Sequence, residues 1–431
     1  MEKRSQLLFR KQMENIKGHL YFAGTSTLEL AENFGTPLYV ISESRIRENY
    51  RRLQKLLRHL YEKTRVYYAA KANSNISILK ILETEGAYLD VVSPGEVFLG
   101  LKSGFSPERI LFTGTSVRND ELKFLVDSNV TVNIDSLSQL KRLLKISVPE
   151  VLSVRINPEM GAGHHDHCIT AGKNAKFGLW EDDALKAYEK AKEAGVNRFG
   201  IHMHIGSGVR AVFPFISALE KLLSVAKKVH DKIGVTFEFV DIGGGLGVPY
   251  KPEEKEMDLD VFSEKVLSKF TSLTETYDLG KPFFCVEPGR YLVSDAGILL
   301  TAVNTVKVTP FKKFVGVDAG FNTLARPMIY GSYHHILVVN KLNFQDRESC
   351  DVVGPICESG DVLARERRLP RIEEGDLLAI LNAGAYGYSM SSQYNARPRA
   401  AEILVRNGEY TVIRDREQLE DLISKQQMVV R

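Results

Sequence analysis

The sequence lacks an excess of charge of either sign. Of its 431 residues, 57 are Lys or Arg and 54 are Asp or Glu, so the formal net charge is +3. A balance this close to zero provides no broad basic field for nucleic acid or for an anionic membrane surface. We therefore expect that neither nucleic acid nor a membrane is a partner of this protein.

Cysteines and long apolar runs are also few. The four cysteines form no CxxC pair, which is typical of a reducing compartment rather than of a disulfide scaffold. They are Cys168, Cys285, Cys350 and Cys357. The longest largely apolar run, at about 296–306, is well short of the roughly 20 residues that a membrane span requires. The charged N-terminus has no apolar core of a signal peptide, so we expect a cytoplasmic protein.

Short β-branched runs alternate with longer amphipathic stretches from about residue 38 to 287. The amphipathic stretches include 181–195 and 213–234, where apolar residues three and four apart predict helices. Eight strand–helix units in about 250 residues favour a closed (β/α)8 barrel of parallel strands, and an open doubly wound sheet is the alternative. The predicted strands are 66–70, 88–92, 110–112, 130–134, 152–156, 200–204, 237–242 and 283–286.

The pattern changes after about residue 290, where strand-like runs follow one another with little helical periodicity. Asn407-Gly408 joins two of these runs and predicts a β-hairpin, because this pair suits a turn that requires positive φ. A short charged helix is predicted at 415–426. The other predicted strands are 298–308, 314–317, 335–341, 351–354 and 377–381.

Polar residues follow several predicted barrel strands at the ends where barrel active sites lie. Lys71 comes after five apolar or aromatic residues, where burial would favour the neutral amine that forms a Schiff base. The alternative is a strand-end lysine that reaches solvent. His204 and Ser207 follow the sixth strand, where the imidazole could pack on a planar ligand or could simply be a core residue.

The last two strands are followed by a glycine run and by a charged pair. Gly243, Gly244 and Gly245 would let backbone N–H groups approach a phosphate, although glycine clusters also mark ordinary turns. Glu287 and Arg290 could form a structural ion pair or contact a ligand separately. A carboxylate beside a pyridine nitrogen keeps it protonated, so these residues together with Lys71 and His204 describe a pyridoxal-phosphate site.

A cluster of three His, one Asp and one Cys at 164–168 could suggest a metal site. Consecutive side chains diverge, however, and no HExxH motif or spaced carboxylate accompanies them. We therefore predict no metal, and interpret this segment as an ordered loop over the barrel mouth.

The second half of the chain contains polar groups in glycine-rich loops. Residues 354–361 include Cys357, Glu358 and Asp361, while 326–335 and 384–395 contribute Arg, Tyr, His and Ser side chains. The cysteine could be buried as a small apolar residue and the arginine could form a surface ion pair. So many polar groups in such loops favour a binding surface instead.

These motifs together resemble those of the diaminopimelate decarboxylases, in the alanine-racemase-like class of pyridoxal-phosphate enzymes. The resemblance runs from about residue 25 to 425 and rests on the order and spacing of the motifs, above all Cys357-Glu-Ser-Gly-Asp361. It implies a (β/α)8 TIM-like barrel at 38–287 and a mostly β domain formed by 1–37 and 288–431. It also implies a homodimer with shared active sites.

The resemblance carries roles onto individual residues. Lys71 would form the Schiff base with pyridoxal 5'-phosphate, His204 would lie against the ring, and Glu287 would support the ring nitrogen. The residues implied around the phosphate are Ser207, Gly243, Gly244, Gly245, Gly289 and Arg290. Those implied for the substrate are Arg290, Arg326 and Tyr330 on the distal carboxylate, Glu358 on the distal ammonium, and Tyr386, which also reaches the cofactor. Cys357 and Glu358 would come from the partner subunit, with Cys357 as the proton donor.

The implied activity is decarboxylation of meso-2,6-diaminopimelate to L-lysine and CO2, the last step of lysine biosynthesis. Because guanidinium groups match a carboxylate bidentately, the stretch around Arg326 favours a substrate with a distal carboxylate. Two alternatives stay open. One is a decarboxylase of another basic amino acid or of a carboxylated polyamine, and the other is a carrier of pyridoxal phosphate without catalysis.

Overall fold

The computed structural model describes residues 12–163, 165 and 170–429. The chain divides into two compact units. The first, the barrel unit, comprises Arg47–Val248 and Glu256–Leu292. The second, the sheet unit, comprises the described parts of Met1–Ile46, Pro249–Lys255 and Val293–Arg431.

The strands are numbered in chain order. They are β1 Met13–Ile16, β2 His19–Phe22, β3 Thr25–Ser26, β4 Leu38–Ser42, β5 Thr64–Ala69, β6 Tyr88–Val91, β7 Ile110–Phe112, β8 Thr131–Ile134, β9 Val151–Arg155, β10 Arg198–His202, β11 Phe237–Asp241, β12 Phe283–Val286, β13 Gly297–Val308, β14 Lys313–Val317, β15 Ile336–Val338, β16 Arg347–Val353, β17 Val362–Pro370, β18 Leu377–Ile380, β19 Ala401–Arg406 and β20 Glu409–Arg414. The α-helices are Thr27–Phe34, Glu43–Leu60, Ile76–Thr84, Pro94–Lys102, Asn119–Asp127, Leu137–Ile146, Glu181–Glu193, Phe213–Ile233, Leu259–Thr276, Arg290–Val293 and Arg326–Tyr330.

Strands β5 to β12 form a closed parallel barrel. Each pairs with the next along the chain, and β12 pairs with β5 to complete the circle. The predicted (β/α)8 barrel is therefore confirmed. The open doubly wound alternative is wrong, because an open sheet has two edge strands, whereas each of these eight strands is paired on both sides. The helices predicted at 181–195 and 213–234 are present, and Gly234 ends the second with φ +67°.

The barrel interior is apolar at its middle and polar near the carboxyl ends of the strands. Tyr67, Leu111, Phe239 and Cys285 pack together inside the barrel. A Cβ on Gly200 would lie 2.1 Å from the Phe239 ring, so the glycine makes room for the aromatic side chain. Because side chains alternate with a period of two, the next inward-facing positions lie two residues further along, and three of these four are polar: Thr113, Asp241 and Glu287.

The sheet unit contains a nine-stranded sheet and a small three-stranded one. The order in the larger sheet is β17-β16-β14-β13-β4-β19-β20, with β18 also paired to β13 and β15 paired to β18; β1, β2 and β3 form the smaller sheet. Strand β4 lies between β13 and β19. Residues 38–46, which the sequence analysis assigns to the barrel domain, therefore lie in the sheet unit, since both edges of β4 are paired there.

One secondary-structure prediction for this unit is wrong. The helix expected at 415–426 is reduced to a single 3-10 turn at Leu419–Leu422. Its apolar residues Leu419 and Ile423 are 68% and 63% exposed, so the segment has no buried face to stabilise a longer helix. The hairpin β19–β20 matches its prediction, while β17 and the helix Arg326–Tyr330 were not predicted. In the described part of the chain, every helix is too short or too polar to cross a bilayer.

Candidate active site

Lys71 lies directly after β5, in the single 3-10 turn Ala70–Ala72. Its Nζ is 3.0 Å from the Oδ2 of Asp90, whose side chain is fully buried in the barrel. The hydroxyl of Thr113 donates to the other oxygen of Asp90 and so fixes the carboxylate. The Lys71 side chain is 34% exposed, which leaves its amine accessible at the barrel mouth.

Glu96 is a second carboxyl group whose charge is coupled to that of Lys71. It lies in the first turn of the helix Pro94–Lys102, where its Oε2 accepts a hydrogen bond of 2.8 Å from the N–H of Val92. Burial raises the pKa of Glu96 to about 7, and the charge of Lys71 opposes that rise only in part. Glu96 therefore changes its charge near neutral pH.

His204 lies two residues beyond β10 and is half-buried. Its Nδ1 accepts a hydrogen bond of 3.0 Å from the N–H of Gly244. Burial lowers the pKa of His204 well below its usual value, and the charges of Lys71 and Arg155 lower it further. The imidazole is thus neutral with its proton on Nε2, which suits a flat ring that packs against an aromatic ligand.

The glycine run after β11 allows very close contact between backbone segments. Gly243 has φ +72°, and a Cβ there would lie 2.4 Å from the carbonyl oxygen of Met203. A Cβ on Gly244 would lie 2.2 Å from the carbonyl oxygen of Glu287. Because backbone atoms cannot turn away as a side chain can, these positions accept no side chain. The N–H of Gly244 donates to His204. Gly244 can therefore contribute to a phosphate site only by letting the phosphate come close to the backbone.

Arg290 and Ser207 bring hydrogen-bond donors to the same end of the barrel. The guanidinium Nη2 of Arg290 is 3.1 Å from the Ser207 Oγ, and Arg290 is 5% exposed. Gly289 packs tightly beside them, since a Cβ there would lie 3.0 Å from that of Ala72. A guanidinium, a hydroxyl and a close-packed glycine are groups that can surround a phosphate.

Glu287 follows β12 and is 3% exposed. Its Oε1 is 3.1 Å from the Nε2 of His202, and the nearest polar atoms of Glu287, His202 and Asp241 all lie within 4.8 Å of one another. Burial alone would raise the pKa of Glu287. The contact and hydrogen bond with His202 lower it, as do the charges of Lys71 and Arg155, so Glu287 is ionised.

The pKa of Asp241 is shifted in the opposite direction. Burial raises the pKa of Asp241 well above its usual value, and the negative charge of Glu287 raises it further. The pKa values of these two neighbouring carboxyl groups are therefore shifted apart, as expected where two like charges would otherwise be buried together.

These residues fit pyridoxal phosphate. The cofactor needs an amine for its aldehyde, a flat partner for its ring, an anion for its ring nitrogen and donors for its phosphate. The carboxyl end of the barrel supplies each kind of group: Lys71 follows β5, His204 follows β10, and Glu287 and Arg290 both follow β12. The predicted cofactor residues of the barrel unit are thus grouped at one end of it.

The sheet unit holds the other predicted residues. Arg326 begins the helix Arg326–Tyr330 and is 1% exposed. Its Nη1 is 2.9 Å from the Nε2 of His334, whose Nδ1 donates to the carbonyl of Leu381 at 2.8 Å. The guanidinium also lies 4.8 Å from the centre of the Tyr250 ring. Tyr330 is half-buried at the end of the same helix.

Cys357 and Glu358 lie on an exposed loop between β16 and β17. The N–H of Cys357 donates to Asn395 at 2.9 Å, and the hydroxyl of Tyr394 donates to Glu358. The buried Asp361 accepts hydrogen bonds of 2.7 Å from the N–H groups of Phe321 and Ile356, and so ties this loop to the one after β14.

Tyr386 has φ +56°, a left-handed conformation that is strained for a non-glycine residue and is often found at functional positions.

Of the predicted loop at 164–168, only His165 lies within the described residues. Cys168 also lies outside them.

Several polar residues of the barrel mouth were missed by the sequence analysis. The period of two identifies inward-facing positions, so a polar residue within an otherwise apolar strand signals them. Those on strands are Asp90, Asn133, Arg155, His202 and Asp241, while Glu96 lies on a helix and gives no such signal.

The chain is similar to known pyridoxal-dependent decarboxylases. The family model of the pyridoxal-dependent decarboxylase pyridoxal-binding domain matches residues 43–294. The diaminopimelate decarboxylase of Methanothermobacter thermautotrophicus is 54% identical over 97% of both chains. That of Archaeoglobus fulgidus is 41% identical over 95% of this chain and 97% of the relative. The crystal structure of the M. jannaschii diaminopimelate decarboxylase with L-lysine is 35% identical, with a TM-score of 0.91 over 97% of this chain and 98% of that one.

Proposed function

The chain belongs to the diaminopimelate decarboxylase family of pyridoxal-phosphate-dependent enzymes, and from this premise we propose which of its residues perform the reaction. The family reaction converts diaminopimelate to lysine and CO2. The observation that carries the residue assignment is the grouping of an accessible amine, a neutral imidazole and an ionised, buried carboxylate at one end of the barrel.

The barrel unit holds the cofactor in this proposal. Lys71 provides the amine that binds it covalently, and Asp90 keeps that amine in place through their 3.0 Å contact. His204 packs against the ring, and Glu287 keeps a proton on the ring nitrogen. Bound in this way, pyridoxal phosphate supplies an electron sink for the electron pair that remains when CO2 leaves. The phosphate is held by Arg290 with the other residues that the sequence analysis assigns to it, Ser207, Gly243, Gly244, Gly245 and Gly289.

The distal end of the substrate is recognised by charge. Diaminopimelate carries a second amino-acid head group, so a carboxylate and an ammonium must both be bound there. Arg326 has a permanent charge in a nearly fully buried position, where a carboxylate is the matched ligand. In the proposal Arg290 and Tyr330 contact the same carboxylate, Glu358 accepts from the distal ammonium, and Tyr386 contacts both substrate and cofactor.

Cys357 delivers the proton that replaces CO2 on the α-carbon, and it does so from the partner subunit of a homodimer. Its exposure on a loop that hydrogen bonds hold in place supports this assignment, because a thiol that serves another subunit must be accessible in its own. Glu358, the next residue, would enter the same neighbouring site.

Product analysis tests the proposed substrate. Purified protein with pyridoxal phosphate is incubated separately with meso-diaminopimelate, ornithine, arginine and carboxynorspermidine, and amine and CO2 are measured. We expect lysine and CO2 from diaminopimelate alone. Turnover of another substrate would overturn the distal-site assignment. Cofactor binding at Lys71 without turnover of any substrate would instead favour a carrier.

A further inference from the structure

A group of fully buried polar residues lies next to Glu287 and has no part in the proposed reaction. His202, Asn133 and Asp241 are each 0% exposed and face the barrel interior from β10, β8 and β11. Burying three polar side chains in a barrel core is costly unless they are hydrogen-bonded. Their hydrogen bonds therefore indicate what they do.

The hydrogen bonds of His202 define which ring nitrogen carries the proton. Its Nε2 is 3.1 Å from the Oε1 of Glu287, and an ionised carboxylate can only accept. A proton is therefore on Nε2. The amide nitrogen of Asn133 lies 3.3 Å from Nδ1 and donates to it. Among the described residues, the amide oxygen of Asn133 has no partner, so the contact to His202 is what orients this side chain.

We propose that His202 is a positioning residue for Glu287, and that Asn133 holds His202 in the tautomer that donates to this carboxylate. The proposal rests on the proposed role of Glu287 at the ring nitrogen. Through this chain of contacts, the barrel core fixes both the direction and the charge of the group that faces the cofactor.

The charged and titratable groups around Glu287 come from four other elements of the barrel. They are His202 on β10, Asp241 on β11, Arg155 on β9 and Lys71 after β5. Burial and the charge of Glu287 raise the pKa of Asp241 well above its usual value, which favours its uncharged form. Without the hydrogen bond from His202, burial acts on Glu287 with less opposition and its pKa rises. Glu287 then becomes protonated at a higher pH, and the acid side of the kcat profile moves to higher pH.

A matched pair of variants separates the hydrogen bond from packing. The amide nitrogen of Gln can reach the position of the imidazole Nε2, whereas that of Asn reaches only the position of Nδ1. We expect His202→Asn to lower kcat by about 10- to 100-fold, the effect of losing a hydrogen bond to a charged group. Its acid limb should move to higher pH, and the KM for diaminopimelate should change little. His202→Gln should keep kcat and the position of the acid limb close to those of the wild type.

A second readout does not depend on turnover. Apoprotein is titrated with pyridoxal phosphate and binding is followed by absorbance. The half-saturating concentration should rise by about 10-fold in His202→Asn and less in His202→Gln. If the wild-type protein does not decarboxylate diaminopimelate, the proposed function fails, while this titration still tests His202.

His230 offers a matched control, because it lies at the end of the outer helix Phe213–Ile233, with its Nδ1 3.0 Å from the carbonyl of Val235. His230→Asn and His230→Gln should leave the pH profile and the titration unchanged. The proposal is wrong if His202→Asn behaves like wild type, or if the Asn and Gln variants at 202 are equally impaired. If His202→Asn does not fold, Asn133→Leu replaces it and should shift the acid limb in the same direction by a smaller amount; no shift would also overturn the proposal.

Discussion

The two groups of candidate residues differ in what holds them. At the carboxyl end of the barrel, Lys71, His204 and Glu287 follow strands that are paired on both sides, and each contacts a residue from another strand end or loop. In the sheet unit, Cys357 and Glu358 are exposed on a loop. Its hydrogen bonds run to Asn395, from Tyr394, and to the buried Asp361. The first group is held by the barrel itself, whereas the second is held by a surface loop.

The largest effect should come from removing the barrel amine. Lys71→Ala should reduce turnover below detection, because no other group can hold the cofactor covalently at that position. Steady-state assays and the visible absorbance of the bound cofactor would measure this. Lys80→Ala, which removes an exposed lysine paired with Glu83, is the control and should match wild type. Turnover that survives in Lys71→Ala would remove the basis for the contrast between the two groups.

The next largest effect tests whether the two groups act across a dimer. Cys357→Ala should lower kcat by about 100- to 10,000-fold, the range for loss of a general acid. Mixing inactive Lys71→Ala with Cys357→Ala subunits should recover about a quarter of wild-type activity, since half of the dimers are mixed and each has one intact site of two. Mass spectrometry would verify subunit exchange. Exchange without recovery would mean that each subunit uses its own Cys357.

A smaller effect should follow at the buried guanidinium. Arg326→Lys should raise the KM for diaminopimelate by about 10- to 100-fold, because an ammonium cannot reproduce bidentate carboxylate binding. The change in kcat should be smaller than the change in KM. Arg371→Lys alters a largely exposed arginine and serves as the control. An unchanged KM would leave Arg326 as a structural residue held by His334 and Tyr250.

The smallest effect concerns the dependence of stability on pH. The pKa of Glu96 is about 7 in the folded protein and is higher than in the unfolded chain, so folding favours its protonated form. Protonated Glu96 therefore contributes to the stability of the folded protein at acidic pH, and this stabilisation is lost as the pH rises to about 7. Glu96→Gln should therefore reduce the fall in Tm between pH 5 and pH 8, as measured by calorimetry. An equal fall in both proteins would show that Glu96 is not protonated at neutral pH.

The contrast between the two groups also separates what the sequence could and could not predict. The barrel strands follow from local patterns, because each buried strand is a short apolar run between amphipathic helices. The polar layer beneath the cofactor residues was missed, although alternation along β10 and β11 places His202 and Asp241 inward. Local pattern could not assign β4 to a unit, since its neighbours β13 and β19 are more than 250 residues away in sequence.

The loops of the sheet unit were beyond prediction from pattern for a different reason. Their conformation depends on contacts between distant segments, such as the hydrogen bonds from Phe321 and Ile356 to Asp361. A charged helix was predicted at 415–426, but its apolar residues Leu419 and Ile423 are largely exposed and cannot stabilise it. The roles of Cys357, Glu358 and Arg326 could be expected only through the family resemblance.

The contacts at Gly243 and Gly244 have a consequence for how this molecule can change over generations. Even alanine at either position would place a methyl group within 2.4 Å of a backbone oxygen, so there is no small step away from glycine. To relieve these contacts, the segments after β10 and β12 would have to move away from the glycine run, and this movement would disturb His204 and Glu287. The sequence at Gly243 and Gly244 can therefore hardly change, whereas exposed positions in the loop around Cys357 can be substituted one at a time. New substrate preferences in this architecture should arise by rebuilding such loops around an unaltered barrel mouth.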